Sequence, residues 1–139
     1  MGLCITAKFT NAPHYHMGYG SFMRLRNDIA SAAAAEFGEH YKNFPVCPGN
    51  WSEEELRSYD KTTGELIKKY KLMNRFLDFL YYPDSEGKLS PSKCAAVLKY
   101  VEKIDPEKKY GYVHSLMTMS QFADLLRSCC EKKCYLIWY

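Results

Sequence analysis

The sequence predicts a mostly helical α+β fold, in which about four helices pack on a small sheet formed by the N- and C-terminal strands. Period-2 alternation of apolar residues at 3–9 predicts the first strand, and the strand-forming residues at 134–139 predict the last. Between them, apolar residues recur at steps of three and four, which is typical of helices. No repeat or linker interrupts the 139 residues, so we expect one domain covering residues 1–139.

The helices are predicted from apolar stripes and from the residues that end them. The first stripe begins at Phe22, after Ser21 as the N-cap, and Gly38 is a suitable stop. The broadest stripe covers residues 66–80 and ends before Pro83. Its width predicts a central helix that is buried on most sides.

Three helix starts carry capping signals. Ser52 with Glu55 has the spacing of a capping box and predicts a short helical turn. Thr118 with Gln121 has the same spacing at the start of the last helix. Ser90 is followed by a proline, which is favoured at the first helical position. The polar and aromatic residues 108–117 have no clear period and are predicted to form a loop.

Charge and cysteine content narrow the function classes. The net charge of +3 is too weak to predict binding of duplex DNA, and it argues against an acidic mimic of a nucleic acid. The first residues lack the pattern of a secretory signal, and no apolar run is long enough for a membrane span. The six cysteines are therefore expected to be reduced thiols in a cytoplasmic protein without a membrane partner.

The best candidate site is the predicted loop before the first helix. Its glycines allow a ligand to approach the backbone, and a helix N-terminus favours an anion. Two tyrosines there can stack on a base, and two arginines on the following helix can meet a phosphate. The predicted ligand-binding residues are His14, Tyr15, His16, Tyr19, Gly20, Ser21, Arg24 and Arg26.

A small enzyme is the competing interpretation. His14 and His16 are two residues apart and can act with Cys4, either as zinc ligands or as bases beside a thiol nucleophile. No Cys-x-x-Cys pair and no Gly-x-Ser-x-Gly turn accompanies them. The sequence therefore predicts neither a cofactor nor a resident metal, and a catalytic role is the second hypothesis.

Two stretches resemble a group of small, uncharacterised proteins encoded in phages and prophages. They are Gly-Tyr-Gly-Ser-Phe-Met-Arg-Leu-Arg-Asn-Asp-Ile-Ala at 18–30 and Asp-Ser-Glu-Gly-Lys-Leu-Ser-Pro-Ser-Lys-Cys at 84–94. The second resembles the group's pattern of Ser-Asp-x-Asp-Gly followed by Leu-Ser-Pro and a cysteine, but Pro-Asp-Ser-Glu at 83–86 replaces Ser-Asp-x-Asp. The group has no established activity, so the resemblance implies a genomic context rather than a chemistry.

The leading hypothesis combines this context with the candidate loop. It is a non-enzymatic, phage-type binding protein that counters host defence or modulates a host factor in the host cytoplasm. The expected partner is a host protein or a small nucleotide-like anion. Assembly of the chain into a homo-oligomer through its tyrosines is left open.

Overall fold

The computed structural model describes residues 2–44 and 48–139. Met1 and residues 45–47 lie outside this description, and with them Cys47, which the sequence predicts to lie in a loop. The described residues form six α-helices and a four-stranded antiparallel sheet, together with a two-stranded ribbon. The predicted α+β class is therefore confirmed.

The sheet contains the two predicted strands and two further ones. β1 (Gly2–Ala7) pairs with β6 (Leu136–Trp138), which confirms that the two ends of the chain meet in one sheet. β2 (Tyr15–Gly18) extends the sheet beside β1, and β3 (Gly87–Leu89) extends it beside β6. The strand order is β2-β1-β6-β3. Residues 15–18 were predicted to form a loop, and that prediction is wrong because they pair with β1 as a hairpin.

The first predicted helix is two helices, α1 (Tyr19–Ala33) and α2 (Ala35–Lys42), which meet at Ala34 in an extended conformation. Gly38 was expected to stop the helix, but it lies inside α2. A Cβ at Gly38 would overlap the Ser31 side chain and lie 2.7 Å from Ser31 Cα. The glycine therefore permits α2 to fold back closely on α1 instead of ending a helix.

The predicted central helix at 66–80 is wrong. The capping box of Ser52 and Glu55 is confirmed, but it opens an 18-residue helix, α3 (Glu53–Tyr70). This helix ends at Lys71, which has a left-handed backbone, and Leu72 N–H bonds back to Ile67 O as in a Schellman turn. The turn buries Leu72 and starts a new direction for the chain, which continues into α4 (Leu77–Tyr81).

The C-terminal half follows its capping signals more closely. α5 (Pro91–Val101) begins after Ser90, and α6 (Met119–Lys132) begins at the confirmed capping box of Thr118 and Gln121. Between them, the expected loop contains a short ribbon of β4 (Lys109–Tyr110) and β5 (Met117–Thr118).

The core lies between the helices and one face of the sheet. It includes Phe22 and Phe79, which meet edge to face, and Trp138, whose ring contacts both. None of the helices in residues 2–44 and 48–139 has the length and apolar character needed to cross a bilayer.

Candidate functional site: the outer face of the sheet

The two faces of the sheet have different surroundings. Along β1, Leu3, Ile5 and Ala7 belong to the hydrophobic core, which defines the inner face. Cys4 and Thr6 alternate with them and point the other way, because successive side chains of a strand leave opposite faces. Both are buried, but neither belongs to the core cluster.

The loop between β1 and β2 covers part of this outer face. Thr6 Oγ1 donates a hydrogen bond of 2.7 Å to Pro13 O, and Cys4 Sγ lies 3.5 Å from His14 Nδ1. In the register of the hairpin, His16 stands directly opposite Cys4. The structure thus brings Cys4, His14 and His16 together on the outer face.

The predicted site residues do not form one cluster. Because residues 15–18 form a strand, its side chains alternate between the faces. His16 is exposed on the outer side, whereas Tyr15 and Tyr19 are half-buried and pack against the core. The two predicted stacking rings are therefore used in packing on the inner side.

Ser21 is not the N-cap of the first helix. That position belongs to Gly18, which has an extended backbone and makes no side-chain cap, and the helix starts at Tyr19. β2 leads directly into the helix, which leaves no loop residue between them. Ser21 is half-buried in the first turn, and Gly20 beside it is exposed.

The two predicted phosphate ligands also have structural partners. Arg26 is 3 % exposed, its Nη2 donates to Tyr82 O at 2.7 Å, and its guanidinium lies 4.3 Å from the Phe22 ring centroid. Burial lowers the pKa of this guanidinium. Arg24 is exposed on the other side of the helix, where its Nη2 donates to Lys109 O at 2.8 Å. The structure does not bring Arg26 to any surface shared with His14 or His16.

The sequence interpretation missed the aromatic part of the outer face. On β6, Leu136 and Trp138 point into the core, so Tyr135, Ile137 and Tyr139 alternate to the outer side. Tyr135 is 42 % exposed and Tyr139 is 58 % exposed. The alternation is readable in the sequence, but the run at 134–139 was interpreted only as strand-forming residues.

Lysines flank the aromatic row. Lys8 N–H donates to Tyr135 O, which places Lys8 beside Tyr135 at the end of β1. Lys88 stands opposite Ile137, and its Nζ lies 5.7 Å from the Tyr135 ring centroid. Both lysines are exposed. We call the set of Lys8, Lys88, Tyr135, Ile137 and Tyr139 the outer aromatic face.

Two features lie at the Tyr139 end of this face. The backbones of Cys4 and Tyr139 exchange two hydrogen bonds, of 2.8 and 3.1 Å, and the Cys4 thiol raises the pKa of the Tyr139 hydroxyl by hydrogen bonding. Beside β3, a shallow pocket of ≈ 420 Å³ opens. Its lining includes Glu86, Lys88 and Tyr139. The face is therefore cationic near Tyr135 and carries one carboxylate nearer Tyr139.

The scan of family models gave no match, and neither the curated proteins nor the solved structures contain a significant relative of this sequence. Within residues 2–44 and 48–139, no group of three or more His, Cys, Asp or Glu side chains is arranged to hold a metal ion.

Proposed function

We propose that this protein is a non-enzymatic binding protein and that the outer aromatic face is its ligand surface. The observation that carries the proposal is the pair of exposed tyrosines, Tyr135 and Tyr139, on a sheet face whose reverse side packs against the helices. Tyrosine combines an apolar body with a polar tip and is enriched where proteins bind ligands. Exposed aromatic residues grouped on one face favour binding over a purely structural role.

We further propose that binding serves a phage-type role, countering host defence or modulating a host factor. This part rests on the resemblance of residues 18–30 and 84–94 to the phage and prophage group. Of the two expected partner classes, the exposed lysines favour the nucleotide-like anion over a host protein. The phosphate contact then moves from Arg24 and Arg26, which are bonded within the fold, to Lys8 and Lys88.

An infection assay tests this role. Bacteria with an active anti-phage defence are challenged with a phage that the defence blocks, with and without expression of the protein. We expect the wild type to restore plaque formation and the double variant Tyr135→Ala/Tyr139→Ala to lose this effect. Tyr70→Ala is the control, since Tyr70 is 39 % exposed but lies at the end of α3, away from the outer aromatic face. Equal plaque numbers for the wild type and the double variant would refute the assigned surface.

A thiol-dependent enzyme is the second candidate, favoured by one observation. Cys4 Sγ and His14 Nδ1 are 3.5 Å apart, close enough for the imidazole to accept the thiol proton. Against it, Cys4 is only 4 % exposed, so a substrate carbon has little access to the sulfur.

Alkylation by iodoacetamide, mapped by mass spectrometry, separates the two candidates. A binding protein should react at half-buried Cys134 before Cys4, although burial raises the pKa of the Cys134 thiol. An enzyme should react first at Cys4, and His14→Asn should slow that reaction.

A further inference from the structure

The outer aromatic face has room for more than one base. Tyr135 and Tyr139 flank β6 and are four residues apart on the same side of the sheet, which corresponds to about 13 Å along extended chain. A mononucleotide carries a single base and can stack on only one of these rings. A strand of several nucleotides can occupy both, with Ile137 between them.

The charges of this face complement a phosphate backbone. Lys8 and Lys88 flank Tyr135 from the two neighbouring strands, and neither forms an ion pair with any residue in 2–44 or 48–139. Their ammonium groups are therefore free to replace the counterions of phosphates. Glu86 lines the pocket at the other end and disfavours phosphate there.

The shape of the face selects single strands over a duplex. The sheet that carries the face is about 14 Å wide between its outer two strands, and the loop before β2 lies over part of it. The major groove of B-DNA is about 12 Å wide and admits only a helix or a two-stranded ribbon. Unpaired bases, in contrast, stack on aromatic side chains displayed by a four-stranded sheet. Such stacking is tolerant of sequence because every base has a π-face.

We infer that the outer aromatic face binds single-stranded nucleic acid, with bases stacked on Tyr135 and Tyr139 and phosphates held by Lys8 and Lys88. The inference rests on the proposed function, because it names the ligand class of the same face. A single strand is preferred to a protein partner because the two exposed rings, Tyr135 and Tyr139, lie in one row, and Lys8 and Lys88 stand on the two sides of Tyr135.

Fluorescence anisotropy with labelled 12-nucleotide dT and U strands at about 50 mM salt tests the inference. Tyr135→Ala and Tyr139→Ala should each weaken binding roughly 5- to 150-fold, as expected for loss of one base–aromatic stack. Tyr70→Ala should bind like the wild type, because α3 lies outside the face. Lys8→Ala and Lys88→Ala should each reduce the slope of log affinity against log salt by about 0.7. The dT and U arms show whether DNA or RNA is bound more tightly.

Two outcomes would overturn the inference while leaving the proposed function intact. One is tyrosine-dependent binding that is equally tight for a mononucleotide and for the 12-nucleotide strands. The other is absence of oligonucleotide binding while plaque restoration still depends on Tyr135 and Tyr139, which would make the face a protein-binding surface. If the tyrosine variants restore plaque formation as well as the wild type but no longer bind the oligonucleotides, the proposed phage-type role is wrong. The inferred ligand class, single-stranded nucleic acid, is then retained.

Discussion

The guanidinium of Arg26 lies inside the protein, whereas Arg24, two residues earlier on α1, reaches the surface. Arg26 spans the rings of Phe22, Phe79 and Trp138 and donates to Tyr82 O. It therefore ties α1 to the end of α4. The sequence alone did not predict the burial of Arg26, because arginine is almost never fully buried unless it is paired.

Arg26→Ala should consequently destabilise the protein strongly. The truncation leaves a cavity beside Phe22 and an unpaired carbonyl at Tyr82, so we expect the free energy of unfolding to fall by at least about 2 kcal/mol. Arg24→Ala is the matched control on the same helix. It loses only an exposed hydrogen bond to Lys109 O and a contact with the Tyr110 ring, so it should lower the free energy of unfolding by no more than about 1 kcal/mol. Urea denaturation of both variants measures the difference, and equal midpoints would contradict the packing role of Arg26.

At the scale of elements, the close approach of α1 and α2 depends on Gly38, and a second helical glycine provides a comparison. A Cβ at Gly38 would collide with Ser31, whereas a Cβ at Gly64 in α3 would meet no atom within 4 Å. Gly64→Ala should stabilise the protein by about 0.5–1 kcal/mol through helix propensity. Gly38→Ala should instead destabilise it by about 1–3 kcal/mol, because overpacking outweighs propensity. The midpoint of thermal unfolding of the two variants tests this prediction. Midpoints that shift in the same direction for Gly38→Ala and Gly64→Ala would refute it.

The contact of α2 with α3 should make stability depend on pH. His40 stacks on Tyr59 at 4.0 Å, its Nε2 lies 2.7 Å from Thr63 Oγ1, and burial lowers its pKa. Below the unfolded-state pKa of about 6.5, the unfolded chain binds more protons at this site than the folded one. The contribution of His40 is thus fully present above that pH and is lost as the pH falls through the lowered folded pKa.

The measurement is the urea midpoint at pH 7.5 and at pH 5.5. We expect the wild type to lose more stability between these two values than His40→Gln does. Other groups titrate in both proteins, so only the difference between the two changes is attributed to His40. The same change in both proteins would show that His40 is not desolvated by the α2–α3 contact.

At the scale of the whole molecule, local sequence signals predicted the fold class. The candidate site, in contrast, could not be predicted from composition alone. The capping boxes at Ser52 and Thr118 are recognisable because each is closed by residues three positions apart. The pairing of β1 with β6 followed from two strand patterns at the ends of one chain. These features depend on neighbours in the sequence, or on the small number of strands available.

Features that depend on distant contacts were not predictable in this way. Residues 15–18 were predicted to form a loop because a strand of four residues has too short a pattern to be recognised by itself. It is recognised only through its pairing with β1. α3 ends at Lys71, and this end allows Leu72 to be buried in the core. A helix end of this kind cannot be recognised until the core is known. The same dependence displaced the candidate site, since alternation along β2 turned Tyr15 inward and left His16 on the outer face.

The central claim is that the outer aromatic face is the ligand surface, and an NMR titration of the wild type with the 12-nucleotide U strand tests it most directly. We predict that backbone amide shifts change at Lys8, Ile137 and Lys88, which lie in one oblique row across this face. Amides along α3 should stay unchanged, because that helix does not contribute to the face. Shift changes confined to α3 or to the ribbon tip at 111–116, with the row across the sheet unaffected, would contradict the account.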